Sequence, residues 1–223
     1  MMRRTPREVL FGEYHTHADG LWTLSGLELA DAKFKQNMVE VPGRSAPLDL
    51  STALTDGEPT YGSRTLKVTL ESSEGDRLAR EARISQMVNG LDGYRMNIEL
   101  PDDLGRYLSG RVHVERLYND EAHASVRVTA VCDPWRYAKD ETVVALQATD
   151  VEQTAILTNQ GRLGVVPLLV VTEGDVLITF GAFSWALGAG SYALPDLYLK
   201  YGEYPVKFSG SGVLTLTYRE AIL

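Results

Sequence analysis

The sequence predicts a mainly β protein with one α-helix, built from an amino-terminal β-rich domain and a carboxy-terminal β-sandwich. Three observations lead there. Apolar and polar residues alternate with period two in most ordered runs, most strictly from Ala124 to Cys132, as half-buried strands require. A single stretch, about Asp76 to Asn89, repeats apolar residues at helical spacing instead. Charge also thins along the chain: residues 1–150 hold 42 charged side chains, and the last 73 residues hold ten. That is a change of domain character.

Taken in order, Val9 to Gly12 reads as a short first strand. Leu27 to Val41 alternates imperfectly and suggests one long strand, or a pair broken near Asp31-Ala32. The 24 residues from Val41 to Arg64, VPGRSAPLDLSTALTDGEPTYGSR, have the composition of an ordered loop. Pro42, Pro47 and Pro59 fix φ, Gly43, Gly57 and Gly62 supply turns, and Leu48, Leu50 and Leu54 are spaced as apolar anchors. A loop of that length inside a folded domain usually serves a partner or a site. It holds no histidine, cysteine or nucleophile–base pair, so contact is expected of it and not catalysis.

Arg64 opens a clearer strand with Leu66, Val68 and Leu70 on one face. The helix follows, capped by Ser73 or Asp76, with Ile84, Met87, Val88 and Leu91 as its stripe and Asn89-Gly90 as a left-handed end. Arg77, Arg80 and Arg83 read as a solvated basic face. Tyr94–Leu100, Gly110–Leu117 and His123–Cys132 are the next strands. Beyond Thr142 come short strands at Val143–Ala148, Ala155–Thr158, Val165–Thr172, Val176–Phe180, Tyr192–Leu199, Val206–Phe208 and Val213–Tyr218, a set typical of a sandwich.

Composition excludes several function classes. Net charge is −8 over 223 residues, which argues against stable nucleic-acid binding and against attraction to anionic membranes. Cys132 is the one cysteine, so neither an internal disulfide nor a thiolate zinc site is expected. No apolar run approaches the roughly 18 residues of a membrane span, and membrane insertion is not expected. The Met-Met-Arg-Arg start lacks the apolar stretch of a secretory signal.

Chemistry-bearing patterns are few. His15 and His17, with Asp19 after them, resemble the opening of metal-dependent phosphoesterases, but too few further ligands exist to complete such a cage. The pairs Asp102-Asp103 and Asp140-Glu141 would suit glycoside hydrolysis, yet both sit in turns without a pocket motif. The chain is therefore expected to be no enzyme and to need no cofactor. The aromatic residues of the last 45 positions, among them Trp185, Tyr192, Tyr201 and Tyr204, are the basis of an alternative function. They read as core, or as a sugar- or partner-binding face of a carbohydrate-binding module.

Four stretches carry a family resemblance: Phe11, His15, Thr16, Gly20 and Leu21 in that order; the VPG turn, LD pair and YG-x-R of residues 41–64; CDPWRYAKDET at 132–142; and the closing SGSGVLTLTYREAIL. Together they resemble the distal tail (Dit) proteins of siphophages, in a short form without an inserted carbohydrate-binding module. The resemblance implies a ring-forming belt domain over 1–138 and a galectin-like peripheral sandwich over 139–223. It implies a virion structural protein, a homohexameric ring at the tip of a long non-contractile tail, assembled in the host cytoplasm. Its partners would be the tail tube protein, the tail-associated lysin or fibre hub, and receptor-binding proteins. On that reading Phe34, Met38, Val41, Pro42, Leu48, Leu50, Tyr61 and Arg64 form the inter-subunit belt and loop, and Pro134, Trp135 and Tyr137 the inter-domain hinge.

Overall fold

The structure, a computed structural model, describes residues 7–55, 57–103 and 105–223; the Met-Met-Arg-Arg start lies outside them. The chain is mainly β with a single helix among the described residues, and it divides into two units, Met1–Arg136 and Tyr137–Leu223.

In the first unit β1 (Leu10–Phe11) and β2 (Tyr14–His15) form a minimal hairpin, and β3 (Thr23–Leu29) follows. β4 (Met38–Val39) and β5 (Leu48–Asp49) make a separate two-stranded ribbon. Then come β6 (Arg64–Ser72), α1 (Arg77–Leu91), β7 (Arg95–Glu99), β8 (Arg106–Asn119) and β9 (Ala124–Ala138). The main sheet runs β2-β1-β7-β8-β9-β6-β3. Period-two patterning gives it one apolar face: Leu66, Val68 and Leu70 of β6 lie beside Val126, Val128 and Ala130 of β9, all fully buried. Ile84, Met87 and Leu91 of α1 join the same core. At Gly110 of β8 a Cβ would come within 2.6 Å of the Cys132 sulfur and 2.9 Å of the Val131 carbonyl oxygen, so glycine is what lets these strands close. Burial there pushes the Cys132 thiol up to about 11.

Several expectations need correction here. Of the two readings of Leu27–Val41 the broken pair is the one found, with β3 already under way at Thr23 and ending at Leu29 and the next strand starting at Met38. The helix does not stop at Asn89-Gly90. It continues to Leu91, because that side chain is 3% exposed and anchored in the core, and Gly93 (φ +79°) makes the turn instead. Asp76 is the amino-terminal cap, accepting from the Ala79 N–H at 2.8 Å. The strand expected to end at Cys132 runs on through Pro134 to Ala138. Pairing with β6 ends at Arg64–Cys132, so Pro134 owes no ladder bond to that neighbour.

The basic run is a solvated face only in part: Arg77 is exposed and Arg83 half-buried, but Arg80 turns inward. Arg80 is 1% exposed and donates to the Gly75 (2.5 Å), Asp120 (2.8 Å) and Glu121 (3.0 Å) carbonyl oxygens. One guanidinium thus ties the start of α1 to the β8–β9 turn. Within that turn the Asp120 carboxylate accepts from the Ala122 and His123 N–H groups, each at 2.8 Å.

The second unit holds β10 (Thr142–Gln147), β11 (Gln153–Asn159), β12 (Leu168–Glu173), β13 (Val176–Phe180), β14 (Phe183–Leu187), β15 (Gly190–Ala193), β16 (Gly202–Gly210), β17 (Val213–Tyr218) and β18 (Ala221–Ile222). Two four-stranded sheets, β10-β17-β12-β15 and β11-β16-β13-β14, enclose a core that includes Leu169, Leu214, Leu216, Ile178, Leu157 and Val206. Tyr192–Leu199 is not one strand: β15 ends at Ala193, ahead of Pro195, while Leu197 and Leu199 stay buried. Pro167 likewise delays the start of β12 to Leu168. β14 leaves little trace in the sequence, because its alternation is short and half-exposed.

Two predictions arise from the β8–β9 turn and the end of α1. Arg80→Met should leave three carbonyl groups short of a donor and lower stability by about 3 kcal/mol, read from denaturant melts. Backbone N–H bonds from His123 and Ala122 hold the Asp120 carboxyl below its ordinary 3.8. The Val114 N–H and then the His113 side chain do the same for Asp92. Folded chains bind these protons less readily than unfolded ones, so the contribution is complete above about pH 4 and lost as pH falls further. Asp92→Asn/Asp120→Asn should flatten the acid limb of a stability–pH curve below that point.

Candidate functional site

Between β3 and β6 the chain leaves the sheet as an arm. Its two sides pair step by step: Ala30 N–H to Thr65 O (2.9 Å), Gly62 N–H to Lys33 O (2.8 Å), Lys35 N–H to Thr60 O (2.9 Å) and Leu50 N–H to Asn37 O (2.8 Å). β4 and β5 finish the ribbon with Met38 opposite Asp49 and Val39 opposite Leu48. Pro42, Gly43 and Pro47 close its apex, Glu40–Pro47, and Asp49 fixes the return by accepting from the Ser51 N–H at 2.9 Å.

No described residue from Asp31 to Ser63 is buried. A two-stranded ribbon is marginal in water by itself, and this one shows Phe34, Met38, Val39, Val41 and Leu54 to solvent, Met38 at 52% and Leu54 at 98%. Apolar side chains held out on a hydrogen-bonded ribbon are the kind of exposed patch that marks contact surfaces.

The neck of the arm is anchored from below. Arg64, 6% exposed, donates from Nε to the Ala30 carbonyl oxygen at 3.0 Å. Burial, and then the positive charge of Arg136, pull its pKa below the ordinary arginine value. Above it stands an aromatic ladder. Phe34 meets Tyr61 edge-on with centroids 6.1 Å apart, and Tyr61 meets Trp135 edge-on at 5.7 Å. The ladder ties both sides of the ribbon to β9.

The expected belt residues therefore fall on one element. Phe34, Met38, Val41 and Pro42 are exposed on it, Leu48, Leu50 and Tyr61 half-buried, and Arg64 buried at its base. Pro134, Trp135 and Tyr137 all lie within the continuous β9, on either side of the division between Arg136 and Tyr137. In the second unit Trp185, Tyr192 and Tyr204 pack half-buried against the core, and Tyr201 is 71% exposed. Phe183, another of these aromatic residues, stacks on Trp185 with ring centroids 5.9 Å apart.

Among the other chemistry-bearing residues, His15, Asp102, Asp103 and Glu141 have partners of their own. The His15 N–H donates to Asp19 Oδ2 at 2.7 Å, and its ring Nδ1 lies 3.4 Å from Glu8 Oε1. Among the described residues no group of three or more His, Cys, Asp or Glu is arranged to hold a metal ion. Asp102 pairs with Arg7, Asp103 with Arg136 at 3.2 Å, and Glu141 with Arg219 at 3.0 Å. No described helix is long and apolar enough to cross a membrane.

A sheet covered by one helix, an arm on its edge with no described residue buried and a two-sheet sandwich define a β-rich protein of two units. That whole-chain fold is similar to the crystal structure of the Dit protein of phage SPP1, described as a paradigm of the hub adsorption apparatus in phages infecting Gram-positive bacteria. The TM-score is 0.67, with 95% of this chain and 98% of that one covered, at 14% sequence identity. No protein-family model and no curated protein matches the sequence.

Loss of the ladder should loosen the arm without unfolding the sheet. Edge-on aromatic pairs contribute about 1 kcal/mol, so Trp135→Ala should speed trypsin cleavage at Lys33, Lys35 and Arg44 by roughly fivefold. The thermal midpoint should change little.

Proposed function

We propose that this chain is a structural subunit of a phage tail, a Dit-like protein whose copies join through their arms into a hexameric ring at the tail tip. The observation that carries this reading is the arm: a long ribbon, paired along its backbone, with apolar side chains and nothing of its own to cover them. The sheet offers a counterpart. β3 ends the strand path, so one row of its backbone groups faces away from β6, and an edge of seven residues invites pairing unless something covers it. The likeness to SPP1 Dit over nearly the whole chain supports the same reading, since it includes both units.

In this role the ring would link the tail tube protein to the tail-associated lysin or fibre hub, and the second unit would be a peripheral domain available to receptor-binding proteins. Each copy adds a net charge of −8, so a ring repels a DNA strand passing it and does not hold it. The function is assembly, with no reaction and no cofactor.

Ring contacts of this kind should bury more than about 1,000 Å² each. Purified protein, followed by light scattering and negative-stain imaging, should give six-membered rings. Deleting Val41–Tyr61 should leave a soluble chain that no longer closes them. A wild-type monomer at every concentration, together with tails that lack such a ring, overturns the proposal.

A further inference from the structure

The core face of the main sheet changes chemistry at one end. On β6, β9 and β8, which lie side by side, alternate residues keep to the core: Leu66 and Val68, Val128 and Ala130, Leu108 and Val112. Carried to the end of the sheet where β6 begins, the same three alternations each reach an arginine, at Arg64, Arg136 and Arg106. Arg64 stands opposite Cys132, on the face of β9 that Arg136 shares. Asp103 meets two of the three, with Oδ2 at 3.2 Å from Arg136 Nη1 and Oδ1 at 4.0 Å from Arg106 Nη1. Arg64 bonds no acid. Its Nε is taken by the Ala30 carbonyl oxygen, and its Nη1 is buried without a hydrogen-bond partner. The like charge of Arg136 presses on it, while Asp31 attracts it from the exposed base of the arm without bonding to it.

We propose that this shelf of arginines is an oxyanion-binding site, in which Arg64 and Arg136 together hold one phosphate or carboxylate group. The site is independent of how copies of the chain assemble. A guanidinium keeps its charge when buried, and a buried charge without a counter-charge is costly. The fold gives Arg64 one carbonyl oxygen. An oxyanion brings the missing negative charge, and two of its oxygens match the planar fork of donors on a guanidinium. It can come in past Arg106 and Arg136, whose side chains are partly in solvent, and Arg64 itself keeps a small exposed surface. A net charge of −8 repels an extended polyanion, so the fitting ligand is a single small group. Bound there, it bridges β6 to β9 at the base of the arm and reinforces the exit that Arg64 sets.

Calorimetric titration of the full chain with inorganic phosphate, at constant ionic strength, tests the site; acetate serves as the carboxylate probe. Phosphate should bind saturably and raise the thermal midpoint as its concentration rises. Arg64→Met should weaken binding by about tenfold or more, as the loss of a charge-assisted hydrogen bond does. Arg64→Lys keeps the charge without the planar fork, and its affinity should fall between the two. If the Arg64 variants fail to fold, Arg136→Gln decides, because it takes the second cation from the same ion and should weaken binding by about fivefold or more. Lys67→Met removes an equal charge from the opposite face of β6 and should leave the affinity unchanged. Binding of phosphate alone assigns the site to a free phosphate-type ion. Binding of acetate as well extends it to carboxylates, acidic side chains of a partner included, and either result supports the inference. Saturable binding of neither probe, binding that Arg64→Met and Arg136→Gln leave unchanged, or an equal loss in Lys67→Met overturns it and leaves the assembly reading as it was.

Discussion

Between Ala30 and Arg64 the chain leaves a packed sheet and returns to it, and the Arg64 guanidinium holds that exit at one width. Its Nε bonds the Ala30 carbonyl across the neck at 3.0 Å while the rest of the side chain is buried beside β9. On the sheet side, β6 keeps every second residue in the core from Leu66 onward. On the arm side, no described residue is buried until the chain returns. A neutral residue at this point would leave the carbonyl unpaired, and the two sides of the ribbon would start from an undefined separation. The arm owes its direction to the sheet and its exposure to its own composition.

A second arginine does comparable work at the other end of the sheet. Arg80 meets three carbonyl oxygens in place of an acidic partner, so the turn after β8 and the start of α1 are held by one side chain. That turn also carries Asp120, whose carboxylate is satisfied by two backbone N–H groups. Buried cations of this kind are tolerated when their hydrogen bonds are met by well-placed acceptors. Here the acceptors come from main chain that loops must present somewhere.

Much of this architecture is legible in the sequence. The alternation of Leu66, Val68 and Leu70, and of Val126, Val128 and Ala130, marks the core face of the sheet, because period-two burial leaves a direct trace in residue order. The proline- and glycine-rich stretch after Val41 marks the arm, since its residues favour fixed turns and offer apolar anchors without a periodic face. Other features are hidden for physical reasons. Arg80 sits among other arginines at helical spacing, and nothing local says that one of the three turns inward to meet a loop 40 residues further along the chain. Gly90 reads as a helix end, but the burial of Leu91 outweighs its cost in helix propensity. Pro134 reads as a break, because whether a strand needs that N–H depends on where its neighbour stops. Leu54 is visible as a leucine among polar residues; its near-complete exposure depends on the turn that lifts it.

The continuity of β9 has a mechanical consequence. Its 15 residues run from Ala124 to Ala138 without interruption, and nine of them, Ala124 to Cys132, face β6 in unbroken register. Ladder hydrogen bonds lie perpendicular to the strands. Tension applied to the carboxy-terminal end of this strand therefore loads the nine residue pairs in parallel, as shear, and not one after another as in unzipping. A chain pulled from Tyr137 onward, by whatever grips it there, draws on the resistance of the whole ladder at once.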